Sequence, residues 1–455
     1  MSAADPRIGI VWFRRDLRLA DNRTLRRALD ECDEIIPLFV VDDRRWEAAG
    51  ANRRWFLAGC LADLDEQLDG RLVVRHDDPV TALTDLVHRY SVTRLYRAAD
   101  AGPAGRRRDA EVDDALREQI ETVVVDQPYV VALGSLRTTA GEPYKVFTPY
   151  WRRWRRLDAA APLRRPTLVT TVSGVRSDGV PHPGTPTATA WRPPPGEQAA
   201  HHAVDRFLRH RVGQYDEHRD LPAADATSRL GPYLKFGCLH PRQLLSRLDL
   251  ADNAHQTFAQ ELAWRDFYAD VLHAWPASAW TAFNQRLAGI QLDRGPDADE
   301  RFAAWCSGRT GVPIVDAGMR QLVAEWFMHN RVRMIVASFL VKDLHLDWTR
   351  GARFFLEHLY DGDVPSNNHG WQWVAGTGTD AAPYHRIFNP QRQGERFDPD
   401  GEYVRRWVPE LADLPASSIH EPHRDGDGPT DYPPPIVDHA TEREEALRRH
   451  RAATA

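Results

Sequence analysis

Residues Ile8–Asn22 read IGIVWFRRDLRLADN. Apolar side chains fill Ile8–Phe13 almost without a break and stop at Arg14-Arg15-Asp16, which is the profile of one short strand buried on both faces. Four more apolar runs follow, at Ile35–Val41, Leu72–Val74, Leu95–Tyr96 and Val123–Val125. Between them, Thr24–Asp30, Trp55–Leu68, Val80–Tyr90 and Arg106–Ile120 carry helical spacing. This alternation predicts an α/β, Rossmann-like domain over residues 1–130, built on a five-stranded parallel sheet. The usual dinucleotide turn, G-x-G-x-x-G directly after the first strand, is absent, because Arg14–Arg18 stands in its place.

Outward from that domain the pattern changes. Residues 131–200 read as an interdomain linker, irregular from Asp158 to Ala200 and including Pro193-Pro194-Pro195. Residues 201–430 read as a nearly all-helical domain, with helical spacing in Ala203–Tyr215, Phe258–His273, Phe302–Cys306 and Asp316–Leu346. Residues 431–455 read as a short C-terminal tail. The 455 residues are 42% hydrophobic and 27% charged, which excludes wholesale disorder. The longest apolar run, Met334–Val341, is too short to cross a bilayer, and Arg14-Arg15-Asp16 follows the first apolar run too soon for a signal peptide. The four cysteines lack metal-type spacing, so a reducing cytoplasm is expected and a metal is not. The net charge is −6, so any nucleic-acid partner needs a local basic patch rather than a basic chain. Among 59 basic residues only Lys145, Lys235 and Lys342 are lysines, a skew that GC-rich coding explains. The 15 tryptophans are less bland, since several stand in polar company.

Four motifs carry chemistry. Thr227–Gly237, TSRLGPYLKFG, offers hydroxyls and accessible backbone N–H groups to a phosphate, or simply caps a helix. In Glu261–Tyr268, ELAWRDFY, helical spacing puts Glu261, Trp264 and Arg265 on one face. That face suits a planar ring with polar edges, or a surface ion pair beside a core tryptophan. Met328–Trp348, MHNRVRMIVASFLVKDLHLDW, embeds Arg331 and Arg333 in an apolar helix beside Asn330 and Met334. Arginines there need acids or phosphates, unless they snorkel to the surface. Asp361–Trp373, DGDVPSNNHGWQW, reads as a polar–aromatic binding loop, and its spacing fails the Ca²⁺-loop pattern. Thr377–Pro390, TGTDAAPYHRIFNP, continues that character and contains Arg386.

In this order, together with VWFRRDLRLADN at Val11–Asn22 and VFTPYWRRW at Val146–Trp154, the motifs resemble the DNA photolyase/cryptochrome family, and within it the class I cyclobutane pyrimidine dimer photolyases. The resemblance implies a light-driven repair lyase. Reduced, anionic FAD would lend an electron to a flipped-out pyrimidine dimer in damaged DNA and recover it. By similarity, Tyr215, Thr227, Ser228, Arg229, Leu230 and Gly231 surround the FAD phosphates, although the family usually has serine at the Gly231 position. Glu261, Arg265 and Asn330 are the next contacts, Arg333 and Asp361 lie beside the isoalloxazine, Asp363 contacts the flavin, and Asn367 faces its middle nitrogen. Trp264 and Trp373 are implied as walls of the lesion pocket, Glu261 and Asn330 as partners of its polar edges, and Met334 as its floor. Arg219, Arg331 and Arg386 match phosphate-gripping positions. A signalling cryptochrome is the second reading, and retention of Trp264, Asn330, Met334 and Trp373 argues against it.

Trp371 and Trp348 match two members of the family's electron relay, whereas the expected outer tryptophan falls near Leu292-Asp293, where none stands. For an antenna pigment, Ala104 and Gly105 replace the folate-binding Asn-Glu pair, while Arg53, Asp100 and Lys235 match positions lining a deazaflavin site. The resemblance therefore favours 8-hydroxy-5-deazaflavin over methenyltetrahydrofolate or an unfilled site. A monomer is expected.

Overall fold

The computed structural model describes residues 6–454 except 288, 381–385, 425 and 427. Its five strands are β1 (Ile8–Phe13), β2 (Glu34–Val41), β3 (Val73–His76), β4 (Arg94–Arg97) and β5 (Glu121–Val124). They form one sheet in the order β3-β2-β1-β4-β5, and every pairing is parallel. Alternation along the strands divides two cores. Ile10, Trp12, Ile36, Leu38 and Leu95 pack under the helices Pro79–Tyr90 and Pro103–Leu116 with Leu83, Leu86, Val112 and Leu116. Val11, Phe13, Ile35, Phe39 and Tyr96 point the other way, into a core shared with Phe56, Tyr233, Phe258 and Leu262. One face of the sheet is therefore buried by the helical part of the chain.

The segment after β1 is the seam between the two parts. The Leu17 N–H donates to the Phe236 carbonyl at 3.3 Å and Arg18 donates to the Gly237 carbonyl at 3.0 Å. Glu197, at the start of the helix Glu197–His210, accepts from the Leu19 and Ala20 N–H groups at 2.8 and 2.9 Å. Arg242 spans Asp21 and Asp126 at 3.3 and 2.6 Å. Gly237, at φ +74°, approaches so closely that a Cβ there would sit 1.9 Å from the Arg15 carbonyl oxygen.

Three sequence readings change. Asp316–Leu346 is broken rather than continuous: the helix Pro313–Glu325 ends at Trp326 in the left-handed region (φ +53°), and a new helix, Asn330–Ser338, starts under a His329 cap. Asp361–Trp373 is not a loop; Val364–Ala375 is a helix with Pro365 in its first turn, where a missing N–H costs nothing. The C-terminal residues include a helix, His439–Thr454, which Arg449 ties to Asp293 at 2.6 Å. No helix among the described residues is long and apolar enough to cross a membrane, and they hold no metal-type cluster of His, Cys, Asp or Glu.

Candidate functional site

Three helices bring the polar–aromatic motifs together. Val364–Ala375 packs against both Asn253–Ala274 and Asn330–Ser338. The 253–274 helix carries Glu261, Trp264 and Arg265, and at this spacing they start on one face. Glu261 accepts from Arg219 at 2.8 Å. Burial raises the Glu261 carboxyl above the usual range, against the pull of Arg219. Trp264 lies flat on Phe147, with ring centroids 3.6 Å apart and planes 9° apart. Arg265 turns away from this face: it donates to the main-chain carbonyls of Pro128 and Leu234, the latter at 3.0 Å, and lies 4.6 Å over Tyr129.

On the facing helix Asn330 is exposed and its side chain takes no hydrogen bond among the described residues. Arg331 pairs with Asp220 at 2.7 Å, stands over Phe397 at 4.4 Å and reaches the Met334 sulfur at 3.9 Å. Trp373 is half-buried against the second core. Arg386 is exposed, and its carbonyl accepts from Lys342 at 3.1 Å. Motif reading missed Asp220 and Phe147. The available signal was the alternation of charge in His218-Arg219-Asp220, with Arg219 and Asp220 each serving a different helix.

A second set gathers around the 227–231 turn. Thr227–Gly231 leads into the helix Gly231–Phe236. Arg229 adopts φ +51° and spends its guanidinium on Asp225 (2.9 Å) and Glu325 (3.3 Å). A Cβ on Gly231 would fall 2.4 Å from the Asp361 carboxylate, and Asp361 in turn meets Arg333 at 3.3 Å. Glycine therefore lets the 227–231 turn and the Arg333–Asp361 pair touch. Tyr215 is buried with its hydroxyl pushed up by burial. Asn367 gives both amide hydrogens to protein, to the Ala352 carbonyl at 3.0 Å and the Asn368 side chain at 2.8 Å. Its carbonyl oxygen is the polar atom left over.

Trp371 is 3% exposed. Its indole N–H has no partner among the described residues, and its ring fits the space that Gly351 leaves on the neighbouring helix, Trp348–His358. Trp348 opens that helix and is 8% exposed. The expected outer position is occupied otherwise: Leu292 lines a groove of about 190 Å³ beside Trp348, and Asp293 pairs with Arg301 and Arg449.

Lys235 lies within reach of the Arg53 charge, and Arg15 stands between Lys235 and Asp100 at the seam. Lys235 pairs with Asp363 at 3.1 Å and Arg15 pairs with the same carboxylate at 3.0 Å. Burial, with the charges of Arg15 and Arg53, lowers the Lys235 ammonium to about 8. Arg15 and Lys235 hold Asp363 well below the usual carboxylate range against burial. Asp100 accepts from the Gly102 N–H at 3.0 Å, and a Cβ on Gly105 would fall 2.1 Å from its carboxylate. Asp363, expected at the flavin, thus pairs with Lys235, expected at an antenna. Arg15, which follows β1 where β2 and β4 flank it, was missed; the crevice at such a switch of strand order is where α/β sheets take ligands.

Comparison with known proteins bears on both sets. Residues 9–167 match the DNA photolyase family model, and residues 258–452 match the FAD binding domain of DNA photolyase. The deoxyribodipyrimidine photo-lyase of Streptomyces griseus is 42% identical, with 96% of this chain and 97% of the relative covered. The crystal structure of a bacterial class III photolyase from Agrobacterium tumefaciens superimposes with a TM-score of 0.92 at 35% identity, over 99% of this chain and 98% of that one. An archaeal photolyase from Sulfolobus tokodaii, solved with two FAD molecules, superimposes with a TM-score of 0.86 at 30% identity, over 98% of this chain and all (100%) of that one.

Proposed function

This chain belongs to the DNA photolyase family, and from that premise we propose how its own residues divide the work of light-driven DNA repair. The protein is an enzyme that splits cyclobutane pyrimidine dimers in UV-damaged DNA by electron transfer from photoexcited reduced FAD. The observation that supports the residue assignment is that the helix carrying Trp373 packs against both the helix of Glu261 and Trp264 and the helix of Asn330 and Met334, with Arg219 bonded to Glu261 and Arg331 reaching the Met334 sulfur. Two fused pyrimidine rings have apolar faces and polar edges. Trp264 and Trp373 supply the apolar walls, Glu261 and Asn330 the edge contacts, and Met334 the floor. Arg219, Arg331 and Arg386 take the flanking phosphates, which fix position without reading sequence. Extruding the dimer costs a few kcal/mol, least where the pair is already damaged.

The residues fit FAD. Thr227 and Ser228 offer hydroxyls in a turn that leads into a helix, Asp363 keeps one buried carboxylate oxygen without a partner among the described residues, and the Arg333–Asp361 pair stands against that turn at Gly231. The bound reduced flavin supplies light absorption and the electron that is lent to the dimer and recovered. Asn367, its amide hydrogens already committed, presents a fixed carbonyl acceptor, which suits the N–H at the middle of a reduced flavin and adds no charge. Glu261 and Arg219 hold the edge of the dimer and balance the charge that develops on it. Trp348 and Trp371 relay electrons to an oxidised flavin.

For the antenna we favour 8-hydroxy-5-deazaflavin in the seam. Arg53 and Lys235 support it, since cations suit an ionisable ring hydroxyl, and Asp100 offers a carboxylate acceptor beside Arg15. Placement in the class I type rests on the sequence motifs, and we expect a monomer. The test is illumination of the purified holoprotein with duplex DNA carrying one cyclobutane dimer, under reducing conditions. Light-dependent restoration of both pyrimidines is expected, and its absence overturns the repair reading. The absorption spectrum decides the antenna separately: a folate band, a second equivalent of FAD or no second band overturns the deazaflavin assignment.

A further inference from the structure

We propose that Trp280 is the outer terminal of the electron relay, in place of the tryptophan missing near residue 292. The inference rests on the Trp371–Trp348 relay proposed above and goes one residue beyond it. Trp280 and Trp348 line the same groove of about 190 Å³, together with Leu292, Ala375 and Thr377. The three indoles run outward by exposure: Trp371 3%, Trp348 8%, Trp280 38%.

The segment holding Trp280 is fixed to the helix that carries Trp371. His369 bonds the Ser278 hydroxyl at 3.0 Å, Gln372 donates to the Ser278 carbonyl at 2.7 Å, and Gln372 accepts from the Phe283 N–H at 2.9 Å. Trp280 therefore stands at a set place rather than on a loose loop. The other indole beside Trp371 leads nowhere. Trp305 lies 6.1 Å away but is fully buried, commits its N–H to the Val336 carbonyl, and among the described residues its other ring contacts are Phe302, Phe354 and Phe355, which resist oxidation.

Proton chemistry gives the direction. The Trp371 N–H is buried without an acceptor among the described residues, so a positive hole on that ring has nowhere to shed its proton and moves on. At Trp280 water is available. Arg353 lies 4.6 Å over that ring and raises the cost of a cation there, so the hole stays at Trp280 only because the oxidised ring releases its indole proton to water. The balance is one electron per photon. An electron leaves Trp371 for the photoexcited oxidised flavin, the hole passes to Trp348 and then to Trp280, and Trp280 releases its N–H proton to water. A thiol in solution then returns a hydrogen atom to the Trp280 nitrogen and leaves as a thiyl radical. The net change is one electron from thiol to flavin and one proton to water.

The test uses oxidised holoprotein under blue light with a thiol, reading the loss of the oxidised flavin band and, separately, the lifetime of the tryptophan radical by electron paramagnetic resonance. Trp371→Phe should abolish both signals. Trp280→Phe should slow photoreduction several-fold and shorten the radical lifetime, and Trp280→Tyr, which restores an oxidisable ring that can shed a proton, should recover most of the rate. Trp275→Phe is the control, because Trp275 packs on Phe283 and Lys145 away from the groove. A Trp280→Phe protein indistinguishable from wild type, beside an inactive Trp371→Phe protein, overturns the proposal alone. An unaffected Trp371→Phe protein overturns the relay itself.

Discussion

Glu261 shows how one residue holds two requirements at once. Burial pushes its carboxyl up, towards a form that donates a hydrogen bond, while Arg219 at 2.8 Å favours the ionised form. The balance leaves a group that can meet a ring edge as it gains negative charge. Glu261→Gln keeps the shape and removes the titratable carboxyl proton. The repair yield per absorbed photon should fall by up to about tenfold, equivalent to about 1.4 kcal/mol, while affinity for damaged DNA changes less. Quantum-yield measurement beside a binding titration checks this, and equal yields rule out the proton role. Glu261, Trp264 and Arg265 were legible as a group because helical spacing alone places them on one face. That Arg265 turns from that face to main-chain carbonyls was not, since those carbonyls lie 31 and 137 residues away along the chain. Gly231 was legible only as a departure from the family's serine; the reason for it, the Asp361 carboxylate, needs the fold.

Elements were legible where their pattern was periodic and misread where polar residues were dense. Asp361–Trp373 has the Gly, Pro, Asn and Asp content of a loop, yet Pro365 sits in a first helical turn and the helix is held by packing on both of its neighbours. The break at Trp326 was invisible because a left-handed residue is normally glycine or asparagine there. Its consequence is functional: it starts a fresh helix at Asn330, with His329 accepting from the Arg331 N–H at 3.2 Å. Burial, with the charges of Arg331, Arg333 and Arg229, pushes His329 down to about 4 from 6.5. The folded state therefore binds fewer protons than the unfolded chain between those values, so this group's contribution is full above pH 6.5 and is lost as pH falls towards 4. His329→Asn keeps a cap acceptor and removes the titration. On lowering the pH from about 7 to about 4, wild type should lose up to about 3 kcal/mol relative to the variant. Denaturant titrations at the two pH values check it, and parallel losses refute it.

At the scale of the whole molecule, a net charge of −6 coexists with a DNA substrate because binding depends on where the arginines stand. Arg386→Ala should weaken binding of damaged and undamaged duplex alike and reduce the slope of log affinity against log salt by about 1, as one lost phosphate contact requires. An unchanged slope removes Arg386 from the interface. The two-part architecture was legible from the change of period along the chain, but its seam was not. IGIVWFRRDLRLADN announced the first strand, while the bonds its second half makes reach Glu197, Phe236, Gly237 and Arg242. Gly237 is the tightest point, and a second glycine provides the control. Gly70 has nearly the same φ, +71° against +74°, but open space around it. Gly70→Ala should cost only the left-handed backbone strain, about 1–2 kcal/mol. Gly237→Ala must in addition move the Arg15 carbonyl, adding about 1–3 kcal/mol. Because Arg15 also holds Asp363, the displacement should loosen the Asp363–Lys235 cluster and any pigment bound there. Paired thermal melts, with the absorption spectrum of each purified variant, test this. Equal destabilisation by the two substitutions would show that the seam yields without cost and that the close approach at Gly237 does not lock the domains together.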